Sequence, residues 1–213
     1  TVEPIDEIAV GTQVSGIVDR LYVDYNTTVK KGQLLAELDK STLKARLLQT
    51  KASLASAENE QTYQKQNLDR VKKLYDSGMS SEIDLETATY KYNNAKASVD
   101  RLLSELEQAE VNLSYASIYS PINGVVLARN VEEGQTVAAS FNTPTLFTIA
   151  ADLTKMQVEA DVDEADIGQV ETGQRVYFTV DAYPTDTFPG TVTQIRLQPV
   201  TTQNVVTYTV IID

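Results

Sequence analysis

Between Ser41 and Ala116 the chain has no proline and one glycine, Gly78. Proline and glycine are the residues that stop or loosen helices, so a 76-residue stretch almost free of both, rich in Ala, Leu, Gln, Lys and Glu, is constrained to be helical. From Leu85 to Ala116 apolar or small residues recur at 85, 88, 92, 95, 99, 102, 106, 109, 113 and 116, a heptad seam of alternating steps of three and four. The same steps run from Leu43 to Tyr75 through 47, 50, 54, 57, 61, 64, 68 and 71, with a softer polar stretch at Gln61 and Gln64. Between the two seams lies Asp76-Ser77-Gly78-Met79-Ser80-Ser81, whose glycine suits a helix C-terminal cap and whose serines suit the next N-cap. The stretch therefore predicts one antiparallel hairpin with arms of about 35 residues, roughly 50 Å each at 1.5 Å per residue. Residues 41–75 carry seven basic and three acidic side chains and residues 82–116 three basic and seven acidic, which predicts attraction along the arms.

An internal repeat brackets this hairpin. Gly16, Val23, Asn26 and Val29 have the spacing of Gly124, Val131, Gly134 and Val137, with Leu38 and Leu146 in the same register. Asn26 stands where the second copy has Gly134, and asparagine is the side chain that most readily joins glycine at positive φ. Around these residues short apolar runs alternate with turn residues, the pattern of strands. Two half-motifs separated by the hairpin predict one β-module closed by strands from both sides of it. After Asp152 further strand-like runs, a short polar helix near residues 163–169 and a turn at Gly173 predict a small antiparallel barrel, with Ile5–Val10 as an added edge. The fold class expected is α+β and elongated: a small β-sandwich with a long inserted coiled-coil hairpin, then a β-barrel. The boundaries expected are 11–40 with 117–150, 41–116, and 1–10 with 151–213.

Composition narrows function. The chain has no Cys and no His, so thiol and imidazole catalysis, disulfides and the usual zinc sites are excluded. A net charge of −12 repels nucleic acid and anionic lipid. No apolar run is long enough to span a bilayer. The ends, Thr1 and the strand-like run into Asp213, read as those of a fragment, with any membrane anchor outside it. There is no phosphate-loop or calcium-loop spacing, and no cofactor, metal or active site is expected.

Three stretches carry a family resemblance: Val29-Lys30-Lys31-Gly32-Gln33-Leu34-Leu35-Ala36-Glu37-Leu38-Asp39, Ser120-Pro121-Ile122-Asn123-Gly124-Val125-Val126, and Gly134-Gln135-Thr136-Val137. With the order half-motif, hairpin, half-motif, barrel, the chain resembles the periplasmic adaptors, or membrane fusion proteins, of tripartite efflux pumps, which implies that the β-sandwich is lipoyl-like. Glu164-Ala165-Asp166-Ile167 and Gly173-Gln174-Arg175-Val176-Tyr177-Phe178-Thr179-Val180 look most like the macrolide-exporter branch. The resemblance implies a non-enzymatic adaptor without cofactor in the periplasm of a Gram-negative bacterium, anchored to the inner membrane. It also implies a ring, as a hexamer, joining an inner-membrane ABC transporter to a TolC-like outer-membrane channel. Adaptors of RND pumps and of type I secretion, and a biotinyl or lipoyl carrier, are the alternatives.

Two sites follow from that resemblance. Arg70, Leu74 and Ser81, with Gly78 between, match the Arg-Leu-Ser tip signature with which efflux adaptors engage the outer-membrane channel. On spacing alone Leu74 also reads as a seam residue, Ser81 as an N-cap and Arg70 as a solvated charge. Glu133 stands where the macrolide branch has a glutamine that narrows the central channel of the ring, which would place a ring of carboxylates there; it reads equally as a polar turn residue. Lys40, after the first half-motif, is the residue a carrier would modify, but carriers need a short exposed turn and here the hairpin begins at the next residue.

Overall fold

The computed structural model describes residues 1–139, 144–181, 183–202 and 205–213. The helical stretch is two helices, α1 (Ser41–Asp76) and α2 (Glu82–Tyr115). At 36 residues α1 is about 54 Å long. The seam predicted on α2 lies inward: Ala88, Ala95, Val99, Leu102 and Ala109 are buried, and Leu85, Tyr92, Leu106 and Leu113 half-buried. On α1 only Leu54 is fully buried; it packs with Val99 and Leu102, flanked by Ala57 and Leu106. Apolar packing is thus densest in the proximal half of the hairpin. The opposite charges of the arms play a smaller part than their totals suggest: among the described residues only Lys51–Glu110, at 3.4 Å and half exposed, is an ion pair between the helices. Such an exposed pair contributes at most about 1 kcal/mol.

The sandwich is built from β2 (Glu7–Gly11), β3 (Gly16–Leu21), β4 (Thr28–Val29) and β5 (Leu34–Leu38) before the hairpin, and β6 (Ser117–Tyr119), β7 (Gly124–Arg129), β8 (Thr136–Val137) and β9 (Thr145–Ala150) after it. Its two sheets have the orders β2-β9-β7-β4 and β6-β5-β3-β8, so each sheet mixes strands from both copies. The exchange obeys a pseudo-two-fold. Gly16 pairs with Val137 and Val29 with Gly124. The Gly134 N–H bonds the Val18 carbonyl at 2.8 Å, and the equivalent Asn26 N–H bonds the Val126 carbonyl at 2.9 Å. Asn26 and Gly134 both hold positive φ, 60° and 82°, as the turn demanded. Bulges fall at equivalent places, between Val18 and Arg20 and between Val126 and Ala128. The core shared by both halves includes Val18, Leu35, Leu38, Val126, Phe147 and Ile149, all essentially inaccessible to solvent.

Two expectations are corrected here. Leu38 and Leu146 are not equivalent: Val18 pairs with Leu38 while its counterpart Val126 pairs with Ile149, three residues further on. The cause is the connection between the short and last strands, residues 138–144 in the second copy against 30–33 in the first, three residues longer. Nor does Ile5–Val10 join the barrel as one edge strand. Val2–Pro4 (β1) pairs with the third sheet, while Glu7–Gly11 pairs with β9 in the sandwich. The repeat in fact begins with this strand. Val10 opposes Phe147 as Ile118 opposes Ala36, and the buried hydroxyls of Thr12 and Ser120 each donate to a carbonyl two residues on, Val14 at 2.9 Å and Ile122 at 2.6 Å. A threonine matched with a serine in polar surroundings hid the homology.

The third sheet contains β1, β10 (Met156–Asp163), β11 (Arg175–Val180), β12 (Tyr183–Ile195), β13 (Val200–Thr202) and β14 (Val205–Ile212), with α3 (Glu164–Ile167) after β10. Its described order, β1-β10-β14-β12-β11 with β13 beside β14, is an open path of antiparallel strands. Val192, Val210 and Ile212 form its small core, against which Val176, Phe178 and Ile167 pack. Pro189 lies within β12 opposite Tyr177, in the part of that strand that β14 does not pair. A proline is tolerated there because no ladder bond is lost.

Candidate functional site

At the distal end of the hairpin the chain reverses in five residues. The Gly78 N–H bonds the Tyr75 carbonyl at 2.9 Å and the Met79 N–H the Leu74 carbonyl at 2.8 Å, a Schellman closure that needs the positive φ of Gly78, 75°. Ser81 begins α2 with a capping box. Its hydroxyl accepts the Asp84 N–H at 3.2 Å and donates to Asp84 Oδ2 at 2.7 Å, and the Ser81 N–H reaches the same carboxylate at 3.1 Å. Gly78 and Ser81 thus shape the tip. The Ser81 hydroxyl, then its N–H, then the Ser80 hydroxyl hold the Asp84 carboxyl below its ordinary value of 3.8. A depressed carboxyl contributes stability above its unfolded pKa and loses it as pH falls through the folded value, so the start of α2 should fray only below about pH 4. Ser81→Ala is expected to cost about 1 kcal/mol of hairpin stability, read by thermal melting followed by circular dichroism at 222 nm.

The other two residues of the tip signature face water. Leu74 is 45% exposed and lies off the heptad positions, which fall on the half-buried Val71 and on Tyr75, itself 40% exposed. Arg70 is exposed and makes no ion pair among the described residues. The signature spacing missed two neighbours, Met79 and Ile83, at 74% and 73% exposure the most exposed apolar side chains of the hairpin. Their signal was there to read: both are apolar and off the seam. A shallow groove of about 450 Å³ lies just behind them, lined by Tyr75, Leu85, Thr89 and Tyr90 among others. The tip therefore offers a cation, three apolar side chains and a groove on one exposed end, chemistry suited to packing against another protein.

Glu133 lies elsewhere, in the turn between β7 and β8. Its Oε1 accepts the Leu21 N–H at 2.8 Å. The pseudo-symmetric residue, Tyr25, donates its hydroxyl to the Arg129 carbonyl at 2.9 Å, so each turn reaches across to the end of the other copy's long strand. Arg129 consolidates this face, bonding Asp24 at 3.1 Å and the Val131 carbonyl at 2.6 Å with its guanidinium over the Tyr25 ring. Lys40 immediately precedes α1 and pairs with Glu37, a contact that, followed by the bond from the Tyr22 hydroxyl, lowers the Glu37 carboxyl. It is partly buried, not at the apex of a free turn, which disfavours the carrier alternative.

An interlocked sandwich interrupted by a helical hairpin and followed by a small antiparallel sheet defines a barrel-sandwich hybrid protein. Comparison with known proteins agrees. Residues 6–149 match the family model described as the RND MFP barrel-sandwich hybrid domain, and residues 156–213 match the YknX-like beta-barrel domain. The chain belongs to the membrane fusion protein family. It is 34% identical over 213 residues to the pyoverdine export membrane fusion protein PvdR of Pseudomonas aeruginosa, covering 93% of this chain and 54% of that protein. It is 30% identical over 211 residues to the macrolide export protein MacA of Escherichia coli, covering 92% and 57%. The crystal structure of MacA from Actinobacillus actinomycetemcomitans superposes with a TM-score of 0.73 at 35% identity, over all of this chain and 70% of that one. The chain thus spans about half the length of the curated relatives it matches.

Proposed function

We propose that this chain is the hairpin-bearing part of a non-catalytic periplasmic adaptor that joins an inner-membrane transporter to a TolC-like outer-membrane channel. The observation that carries the proposal is the tip: Arg70, Leu74, Met79 and Ile83 exposed together at the far end of helices about 54 Å long. A protein whose catalytic inventory is this poor, and whose longest element ends in solvent-facing apolar groups, is built to bridge. In this reading the hairpin is a coiled coil docking the channel through Arg70, Leu74 and the turn that Gly78 and Ser81 shape. The sandwich, 11–40 and 117–150 extended back to Glu7, stacks into a ring of six. The third sheet, 151–213 with Val2–Pro4, closes as a barrel in the full protein and faces the transporter. The identities with MacA proteins favour an ABC transporter as that partner. Glu133, exposed and with its second carboxylate oxygen free of the Leu21 bond, is proposed to face the ring axis. Membrane attachment is assigned to sequence outside these residues.

The sandwich does not depend on the hairpin for closure, because the Leu38 N–H bonds the Ala116 carbonyl at 2.8 Å where the helices leave it. Replacing residues 41–115 by a four-residue glycine-containing turn in the full-length protein is therefore expected to leave a folded sandwich and to abolish export. Efflux of a fluorescent pump substrate from cells lacking the chromosomal copy reads the second effect and circular dichroism the first. Retained export with the shortened protein would remove the bridging role.

A further inference from the structure

Two-electron oxidants attack thiols and thioethers before other side chains, and the more exposed the sulfur the more readily it reacts. These 213 residues contain no cysteine and two methionines, Met79 and Met156. Met156 opens β10 opposite Pro4 and is 39% exposed. Met79, 74% exposed, stands at the apex of the hairpin turn. Its N–H closes on the Leu74 carbonyl at 2.8 Å, behind Gly78 at a φ of 75°, so the backbone is pinned at the apex and the side chain is left in solvent. The chain thus holds its more accessible sulfur at the tip, on the same exposed end as Leu74 and Ile83, whose hydrocarbon side chains such oxidants do not touch. Apolar contact with another protein needs no sulfur, and a methionine there makes the chemistry of the tip changeable.

We propose that Met79 is a reversible oxidation site, and that its conversion to the sulfoxide by a hypohalous acid or a peroxide weakens docking of the tip. The functional half of this proposal rests on the reading above of the tip as the docking end. With hypochlorous acid the step balances simply. A sulfur lone pair forms the S–O bond, the O–Cl bond breaks, and chloride and a proton leave; the thioether is oxidised by two electrons and the chlorine is reduced by two. Methionine sulfoxide reductases run it back: two thiols close to a disulfide and the oxygen leaves as water, one enzyme serving each sulfoxide epimer. The change in the side chain is from a flexible apolar group to a polar acceptor. Because Met79 packs little within its own hairpin, the oxidised protein keeps its fold. Against an apolar partner surface, however, the new oxygen is buried without a donor, and binding at the tip is expected to weaken about tenfold.

The test has two arms, both in the full-length protein. Limiting hypochlorite followed by peptide mass mapping reads the gain of about 16 Da at each methionine. Met79 is expected to oxidise at least about twofold faster than Met156 and to be restored by the two epimer-specific reductases together. An equal or slower rate at position 79 overturns the site. In cells, wild-type export is expected to fall about tenfold after a brief oxidant pulse, while Met79→Leu, apolar and inert to the oxidant, keeps its rate. Met79→Gln, polar without oxidation, is expected to export at about a tenth of the wild-type rate with an unchanged melting temperature. Equal loss in wild type and Met79→Leu, or normal export by Met79→Gln, overturns the effect on docking. Arg70→Asp separates this failure from failure of the tip reading. If it abolishes export while Met79→Gln does not, docking through the tip stands and only the oxidation effect falls; if neither variant lowers export, the tip reading falls as well.

Discussion

Gly124→Ala is expected to unfold the sandwich, whereas Gly16→Ala, the same change at the equivalent position of the repeat, is expected to be tolerated. A Cβ on Gly124 would lie 2.0 Å from the Ala150 carbonyl oxygen and 2.8 Å from its carbon, both backbone atoms of the paired strand β9. Backbone cannot rotate away as a side chain can, so β7 and β9 would have to separate where Gly124 begins the first and Ala150 ends the second. The expected loss is about 3 kcal/mol or more, at or beyond the upper end of ordinary overpacking. At Gly16 the nearest atom to an added methyl is Leu38 Cβ at 3.5 Å, an ordinary contact. There the expected change is within about 1 kcal/mol of either sign, since a strand glycine also carries an entropic penalty. Urea denaturation of both variants followed by tyrosine fluorescence checks the pair. Equal losses would mean that β7 does not approach β9 as closely at Gly124 as described.

Arg70→Asp is expected to abolish export without changing the fold. The side chain is exposed and makes no ion pair among the described residues, so its replacement should shift stability by no more than about 0.5 kcal/mol. At an interface the same change reverses a charge, and like charges brought together at a contact cost several kcal/mol. The expected signature is a loss of substrate efflux to the level of cells without the protein, at unchanged melting temperature and unchanged abundance. Arg70→Lys should retain part of the activity, because charge survives while the planar donor fork is lost.

Much of this architecture is legible in residue spacing. The hairpin seams read directly because a period of 3.5 held over ten positions has few alternatives, and every predicted seam position but Tyr75 is at least half-buried. The repeat read well where it rests on backbone demands: the turns of Asn26 and Gly134 require positive φ, and only a few residues supply it. It read poorly where it rests on pairing partners. Thr12 and Ser120 do equivalent work, but nothing in either residue alone announces a buried hydroxyl bonded two residues ahead. The register of the last strand slipped because three extra residues lie in a connection, and a fixed offset cannot see an insertion. β12 was obscured by Pro184 and Pro189, which argue against a strand until the unpaired flank is known. At the tip, the signature spacing found Arg70 and Leu74, while Met79 and Ile83 are found by asking which apolar residues lie off the seam.

The central claim is that the hairpin tip is the part of this protein that touches an outer-membrane partner. A photoreactive amino acid placed at Met79 of the full-length protein in living cells tests it most directly, with Tyr177 on the exposed face of the third sheet as the comparison position. Irradiation is expected to join position 79 to an outer-membrane channel protein and position 177 to no such protein, and Arg70→Asp should remove the adduct at 79. An adduct from position 177 to the channel, or none from position 79 while export proceeds normally, would contradict the account.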